Sequence, residues 1–159
     1  MNNQSDMDSS EFLHSLWYVS RSLMRFVHKA ALENDLSIPQ YSLVLAIAPH
    51  KEMTQKQIGE KLQIPKSTLS QAVDGLVQAG WLYREPVQDN RREIQLILSE
   101  KGVALFEKMS AQKGSIHQTI QSVMDTLTKK QCTEIQTTLL HIADFIEKET
   151  NTKEIQKND

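Results

Sequence analysis

The chain has 159 residues, 39% of them hydrophobic and 24% charged, with a formal net charge of −2. This is the composition of a globular, soluble chain with a core of its own. No apolar run approaches the roughly 20 residues that cross a bilayer, and the polar opening MNNQSDMDSSEF lacks the basic and apolar segments of a secretory signal. The lone Cys132 cannot close an internal disulfide, so a reducing, cytoplasmic setting is expected.

Residues before Ser9 are polar and expected to fray. Ser9 or Ser10 then caps a helix, with Glu11 in its first turn. Phe12, Leu16, Val19, Leu23, Phe26 and Val27 recur at spacings of three and four, which carries the helix to about Asn34. Arg21, Arg25 and Lys29 form a basic row on another face. Pro39 suits the first turn of a second helix, Gln40 to about Ala48, whose Tyr41, Leu43, Val44, Leu45 and Ile47 make it a core element. Thr54 and Gln57 form a capping-box pattern at the start of a third helix ending near Leu62. A tight Gln63-Ile64-Pro65 connection leads to a fourth helix, Pro65 to Gln78, stopped by Gly80.

Two strands follow, Trp81–Val87 and Glu93–Leu98, joined by a turn over Gln88-Asp89-Asn90-Arg91. From Ser99 a long helical region runs through Val103, Leu105, Phe106, Met109, Ile116, Ile120 and Val123 to a break at Leu127-Thr128. Thr128 and Gln131 cap a last helix carrying Cys132, Ile135, Leu139, Ile142, Phe145 and Ile146. Past Glu149 the composition turns polar and a loose tail is expected. The expected organisation is therefore a tail and helix over 1–35, a central region over 36–100, helices over 101–150 and a tail over 151–159. The terminal stripes, Leu13, Leu16, Val19 and Leu23 at one end and Ile135, Leu139, Ile142 and Ile146 at the other, exceed what a small central domain can cover. They point to partner helices in a homodimer.

Two short helices, a tight turn and a hairpin make a winged helix-turn-helix. The fold class expected is mainly α with a small β-hairpin wing, flanked by dimerisation helices. On the fourth helix, Leu69, Ala72, Val73, Leu76 and Val77 mark the inner face, and Ser67, Ser70, Gln71, Asp74 and Gln78 the opposite one. Short polar side chains on a helix reach base edges in a major groove, and Gln pairs with adenine. The same stripe also fits an exposed amphipathic helix with no partner. Arg91 and Arg92 sit at or beside the hairpin tip, with Arg84 on the leading strand, where an arginine can enter a minor groove. A solubilising turn is the other reading, since Glu85, Asp89 and Glu93 balance those charges. The acidic excess lies at the chain ends. From Lys51 to Arg92 there are seven basic and five acidic residues.

From about Leu36 to Met109 the chain resembles the MarR family of bacterial transcription regulators. The matching run is LSIPQYSLVLAIAPHKEMTQKQIGEKLQIPKSTLSQAVDGLVQAGWLYREPVQDNRREIQLILSEKG. The resemblance implies a winged-helix homodimer on palindromic double-stranded DNA, acting as a repressor released by a small-molecule effector. It implies major-groove contacts from Lys66, Ser67, Thr68, Ser70 and Gln71, and a wing contact from Arg92. The family's wing acid falls on Asn90, which can accept a hydrogen bond but carries no charge. An effector site between dimer helices and DNA-binding lobe is also implied, with His14, Trp17, Tyr18, Arg21 and Tyr41 as wall residues for a small anionic aromatic ligand.

Other classes leave little trace. No nucleophile elbow, phosphate loop or carboxylate pair with a positioned histidine occurs, so an enzyme is not expected. His14, His28, His50, His117 and His141 lack metal-ligand spacing, and no cofactor is expected. The periodicity of Cys132 with Ile135 and Leu139 favours a buried, inert thiol. The alternatives are a winged-helix module that binds another protein without DNA, or a redox-responsive regulator using Cys132.

Overall fold

The computed structural model of the chain describes residues 8–155. The expected fraying before Ser9 therefore falls, apart from Asp8, outside the described residues. Helix α1 spans Ser9–Glu33, and its N-cap is Asp8, not Ser9 or Ser10. Asp8 has the extended backbone that a cap requires, and its side chain accepts from Ser9 Oγ at 3.3 Å. Its carboxyl is held below the ordinary range by hydrogen bonds from the Ser10 side chain and backbone.

Helix α2, Ile38–Ile47, begins before Gln40 because Ser37 and Gln40 form a capping box that includes Pro39 in the first turn. A short strand, β1 (Glu52–Thr54), was not expected. It precedes α3 (Gln55–Leu62), which Thr54 and Gln57 cap reciprocally, at 3.1 and 2.9 Å. Gln63 takes a left-handed backbone at the turn, and α4 spans Lys66–Gln78 behind Pro65. Thr54→Ala removes the cap of the helix that supports α4 and costs about 1 kcal/mol. Thermal unfolding should show a midpoint about 2–4 °C lower.

Strands β2 (Leu82–Val87) and β3 (Asn90–Leu98) close around Gln88-Asp89, a tighter turn than expected, with a bulge at Pro86/Val87. The sheet is antiparallel in the order β1-β3-β2, so the expected two-stranded wing gains a third strand at its base. Met53 pairs with Leu96 there, and Leu82 with Leu98. Helix α5 covers Glu100–Ala111 and α6 Ile116–Asp125. The predicted unbroken helix is interrupted at 112–115, where Gly114 adopts φ 72° and Ser115 Oγ donates to the Ser110 carbonyl. Helix α7, Lys129–Ile155, continues past Glu149, into the predicted tail. Thr128 and Gln131 cap it as expected.

The chain divides into two compact units, residues 1–116 and 117–159. In the first, α2 is the central post. Its Tyr41, Leu43, Val44 and Ile47 are buried against Ile58 of α3, Leu69, Val73 and Leu76 of α4, and Leu82 and Leu96 of the sheet. This packing fixes the orientation of α4 and the wing. In the second unit, α7 exposes Ile135, Leu139, Leu140, Phe145 and Ile146, and α6 exposes Ile120, Val123 and Met124. Cys132 is half-buried, not fully enclosed as expected, with Sγ 4.0 Å from the Met124 carbonyl. Among the described residues no helix is long and apolar enough to cross a membrane.

Candidate nucleic-acid interface

Helix α4 turns Leu69, Ala72, Val73 and Leu76 into the core and leaves the other face outward. Lys66, Ser67 and Gln71 are exposed, and Thr68 and Ser70 half-buried. All five residues predicted to contact the major groove thus sit in the first two turns of one helix, and three of them are exposed. Pro65 at the N-cap has no N–H, and no side chain caps the helix. The first-turn N–H groups of α4 therefore lack the intrahelical partners that later residues have, an arrangement that favours an anion.

The wing begins where α4 ends. Gly80 takes φ 77°, and the Gly80 and Trp81 N–H groups return to the carbonyls of Val77 and Leu76. Ser99 closes the far side of the hairpin. Its Oγ donates to the Gly80 carbonyl at 2.7 Å and accepts from the Gly102 N–H at 3.0 Å. One buried hydroxyl thereby ties the recognition helix, the wing and α5 together.

Arg92 is exposed on β3, and its backbone N–H donates to Asn90 Oδ1 at 3.2 Å. Asn90 therefore supplies the hydrogen bond that shapes the wing without adding a negative charge beside the arginine. The backbone of Arg91 lies in β3, and its side chain falls outside the described residues. Arg84 is engaged: its Nη2 donates to Asp74 Oδ1 of α4 at 2.5 Å. Sequence reasoning named both residues but did not join them. They lie ten positions apart, on different elements, and no local pattern links them.

The predicted effector residues do not converge within one chain. His14, Trp17, Tyr18 and Arg21 are exposed on the N-terminal half of α1, with Trp17 at 61% and Tyr18 at 66%. Tyr41 is buried in α2. It lines a small cavity of about 130 Å³ with Phe26, Ala30, Met109, Gln112 and Lys113. Burial, with the charge of Glu33 adding to it, holds the Tyr41 hydroxyl above the ordinary tyrosine range. It is a neutral phenol at physiological pH. Beside the cavity, Asn34 and Gln112 exchange amide hydrogen bonds at 3.1 and 3.3 Å, joining the ends of α1 and α5. The amide pair and the Phe26–Tyr41 wall escaped sequence reasoning, because they join segments far apart in the chain. No cluster of three or more potential metal ligands occurs among the described residues.

A family model described as the MarR family matches residues 34–93, the segment from the end of α1 to the wing. The chain is 31% identical over 114 residues to the HTH-type transcriptional regulator PecS of Dickeya dadantii (strain 3937), covering 68% of each. It is 30% identical over 118 residues to the organic hydroperoxide resistance transcriptional regulator of Bacillus subtilis (strain 168), covering 73% of this chain and 80% of that one. Among solved structures it is similar to NMB1585, a MarR family regulator from Neisseria meningitidis. The TM-score is 0.71 at 24% identity, over 96% of this chain and all of that one.

Proposed function

This chain belongs to the MarR family of transcriptional regulators, and from that premise we propose how it works: as a homodimeric repressor that reads a palindromic operator and is released by a small ligand. The observation that carries the reading is the division of α4. Its apolar face is locked into the core, while Lys66, Ser67 and Gln71 stand outward beside an arginine-bearing wing. Lys66 and the first-turn N–H groups engage phosphate. Ser67, Thr68, Ser70 and Gln71 meet base edges in the major groove. Arg92 enters the adjacent minor groove, where a narrow, electronegative channel favours a guanidinium.

Dimerisation follows from the apolar surface. On α1, Phe12, Leu13, Trp17, Tyr18, Val19 and Leu23 are exposed, and α7 carries its own exposed stripe. Contiguous apolar patches of this kind mark interfaces. A two-fold dimer sets two recognition helices about 34 Å apart, one turn of duplex. The chain works in the cytoplasm, where its DNA is.

The effector reading rests on the cavity around Tyr41. Its volume, about 130 Å³, suits a single aromatic ring. The neutral Tyr41 hydroxyl and Lys113 in its lining suit a small aromatic carboxylate, while Lys29, also in the lining, pairs with Glu33 at 3.7 Å and offsets the negative charge that Glu33 brings to the cavity. The cavity sits where the end of α1 meets α2 and α5, so a ligand there shifts the post on which α4 is packed. His14, Trp17, Tyr18 and Arg21 reach such a ligand only if the partner's α1 brings them.

The test is a gel shift on DNA flanking the protein's own gene, at increasing salt. Binding should weaken steeply as salt rises, and a folded dimer that shifts no such duplex at low salt would sink the reading. Arg92→Ala should weaken operator binding about 10–100-fold and reduce the salt slope by about one. Unchanged affinity would remove the wing from the interface.

A further inference from the structure

The recognition helix carries a carboxylate on the side meant for DNA. Asp74 follows Ser67, Ser70 and Gln71 along the polar stripe, and its side chain is 63% exposed. Left alone it would repel the phosphates of any duplex α4 approached. It is not left alone, because Arg84 of β2 donates to it at 2.5 Å. An exposed pair of this kind adds little to folding stability. Stability therefore does not account for a charge pair at this place.

The geometry assigns a different role. A guanidinium has five N–H donors in a rigid fork, and the described contacts use one of them, on Asp74. Arg84 lies on the strand that leaves α4 through the Gly80 turn, at the border between helix and wing. We propose that Asp74 is a positioning residue: it holds the Arg84 guanidinium so that its remaining donors meet a backbone phosphate at the edge of the major groove. A free arginine side chain loses rotamer freedom when it binds phosphate. One already fixed by Asp74 does not. The acid on the reading face thus strengthens binding where the phosphate lies in register with the fixed guanidinium. Elsewhere on DNA it acts only as a negative charge, so the pair sharpens discrimination.

The proposal rests on the DNA-binding reading, and it predicts an effect opposite to that of charge alone. Removing an acid from a DNA-facing surface should tighten binding to every duplex. Here Asp74→Ala should weaken binding to the selected site about 5-fold and leave binding to unrelated DNA unchanged or tighter. The experiment selects a duplex from a randomised library with the wild-type chain. It then compares wild type, Asp74→Ala, Arg84→Ala and the double variant on that duplex and on an unrelated one, across a salt series. Arg84→Ala should weaken site binding about 10-fold and lower the salt slope by about one. Asp74→Ala in that background should cause no further loss, because Asp74 then has nothing to hold. Alanine is a strong helix former at this exposed position, and thermal midpoints within about 4 °C of wild type confirm the fold. Tighter or unchanged binding of Asp74→Ala to the selected site overturns the proposal, as do additive losses in the double variant. Failure of the wild type to select any duplex would instead overturn the DNA reading itself.

Discussion

Replacing Leu139 with aspartate should convert the protein from dimer to monomer and cost about 1,000-fold in operator affinity. Leu139 is 49% exposed in the middle of α7, between Ile135 and Ile146 at helical spacing. A single exposed leucine is ordinary, but a stripe repeated along a 27-residue helix is not. If another copy covers that stripe, a carboxylate at its centre is buried without a partner, which is strongly unfavourable. The affinity loss follows from linkage. With two recognition helices on one rigid body, the second half-site binds as an intramolecular event, and separation forfeits an advantage of about 10²–10⁴. Sedimentation at micromolar concentration would show the mass halved, with helicity retained. A variant that still sediments as a dimer would place the interface elsewhere.

Gly102→Ala should lower folding stability by about 3 kcal/mol, seen as a fall in thermal midpoint of about 6–12 °C. Gly102 lies in the first turn of α5, and a Cβ there would collide with the backbone carbonyl of Trp81 and crowd Leu98 Cδ2. A carbonyl held in a turn cannot rotate away as a flexible side chain can. The start of α5 or the root of the wing must move. Either shift breaks the Ser99 junction, in which one hydroxyl joins Gly80 to Gly102. Operator binding should fall together with stability, because the wing loses its fixed angle to α4. A variant with an unchanged midpoint would show that this junction is looser than its geometry indicates.

The parts of the fold written in local patterns were legible. Thr54 with Gln57 and Thr128 with Gln131 announced two helix starts, because a capping box spans only four residues. The tandem helices and their glycine stop followed from periodicity and from Gly80. What escaped depends on distant partners. Strand β1 has three residues and no alternation to betray it. It exists because Glu52, Met53 and Thr54 meet the far end of β3. The break before α6 was hidden because Met109 and Ile116 keep helical phase across it, although Gly114 turns the chain there with φ 72°. The cap of α1 fell on Asp8 instead of Ser9 or Ser10, three neighbouring residues that are all good caps.

The candidate site divides the same way. The outward residues of α4 came from the helix's own pattern. The engagement of Arg84 by Asp74, the amide pair of Asn34 and Gln112, and the wall of the Tyr41 cavity all join residues from different elements. Tyr41 was singled out for its type, yet its neighbours are Phe26 and Met109. The aromatic cluster of α1 sits some three turns away along that helix, roughly 18 Å from His14 to Phe26 at 1.5 Å per residue. Asn90 shows how a departure from a family habit can keep the geometry and change the charge. It holds the Arg92 backbone by a hydrogen bond and leaves the wing more positive than an acid would.

Hydroxyl-radical footprinting on the DNA flanking the protein's own gene tests the central claim most directly. Two copies of α4 reading a palindrome should protect two half-sites on one face of the duplex, centred about 10 base pairs apart. Protection of the adjacent minor grooves should vanish in Arg92→Ala. A folded dimer that leaves this DNA uniformly cleaved at low salt would contradict the account.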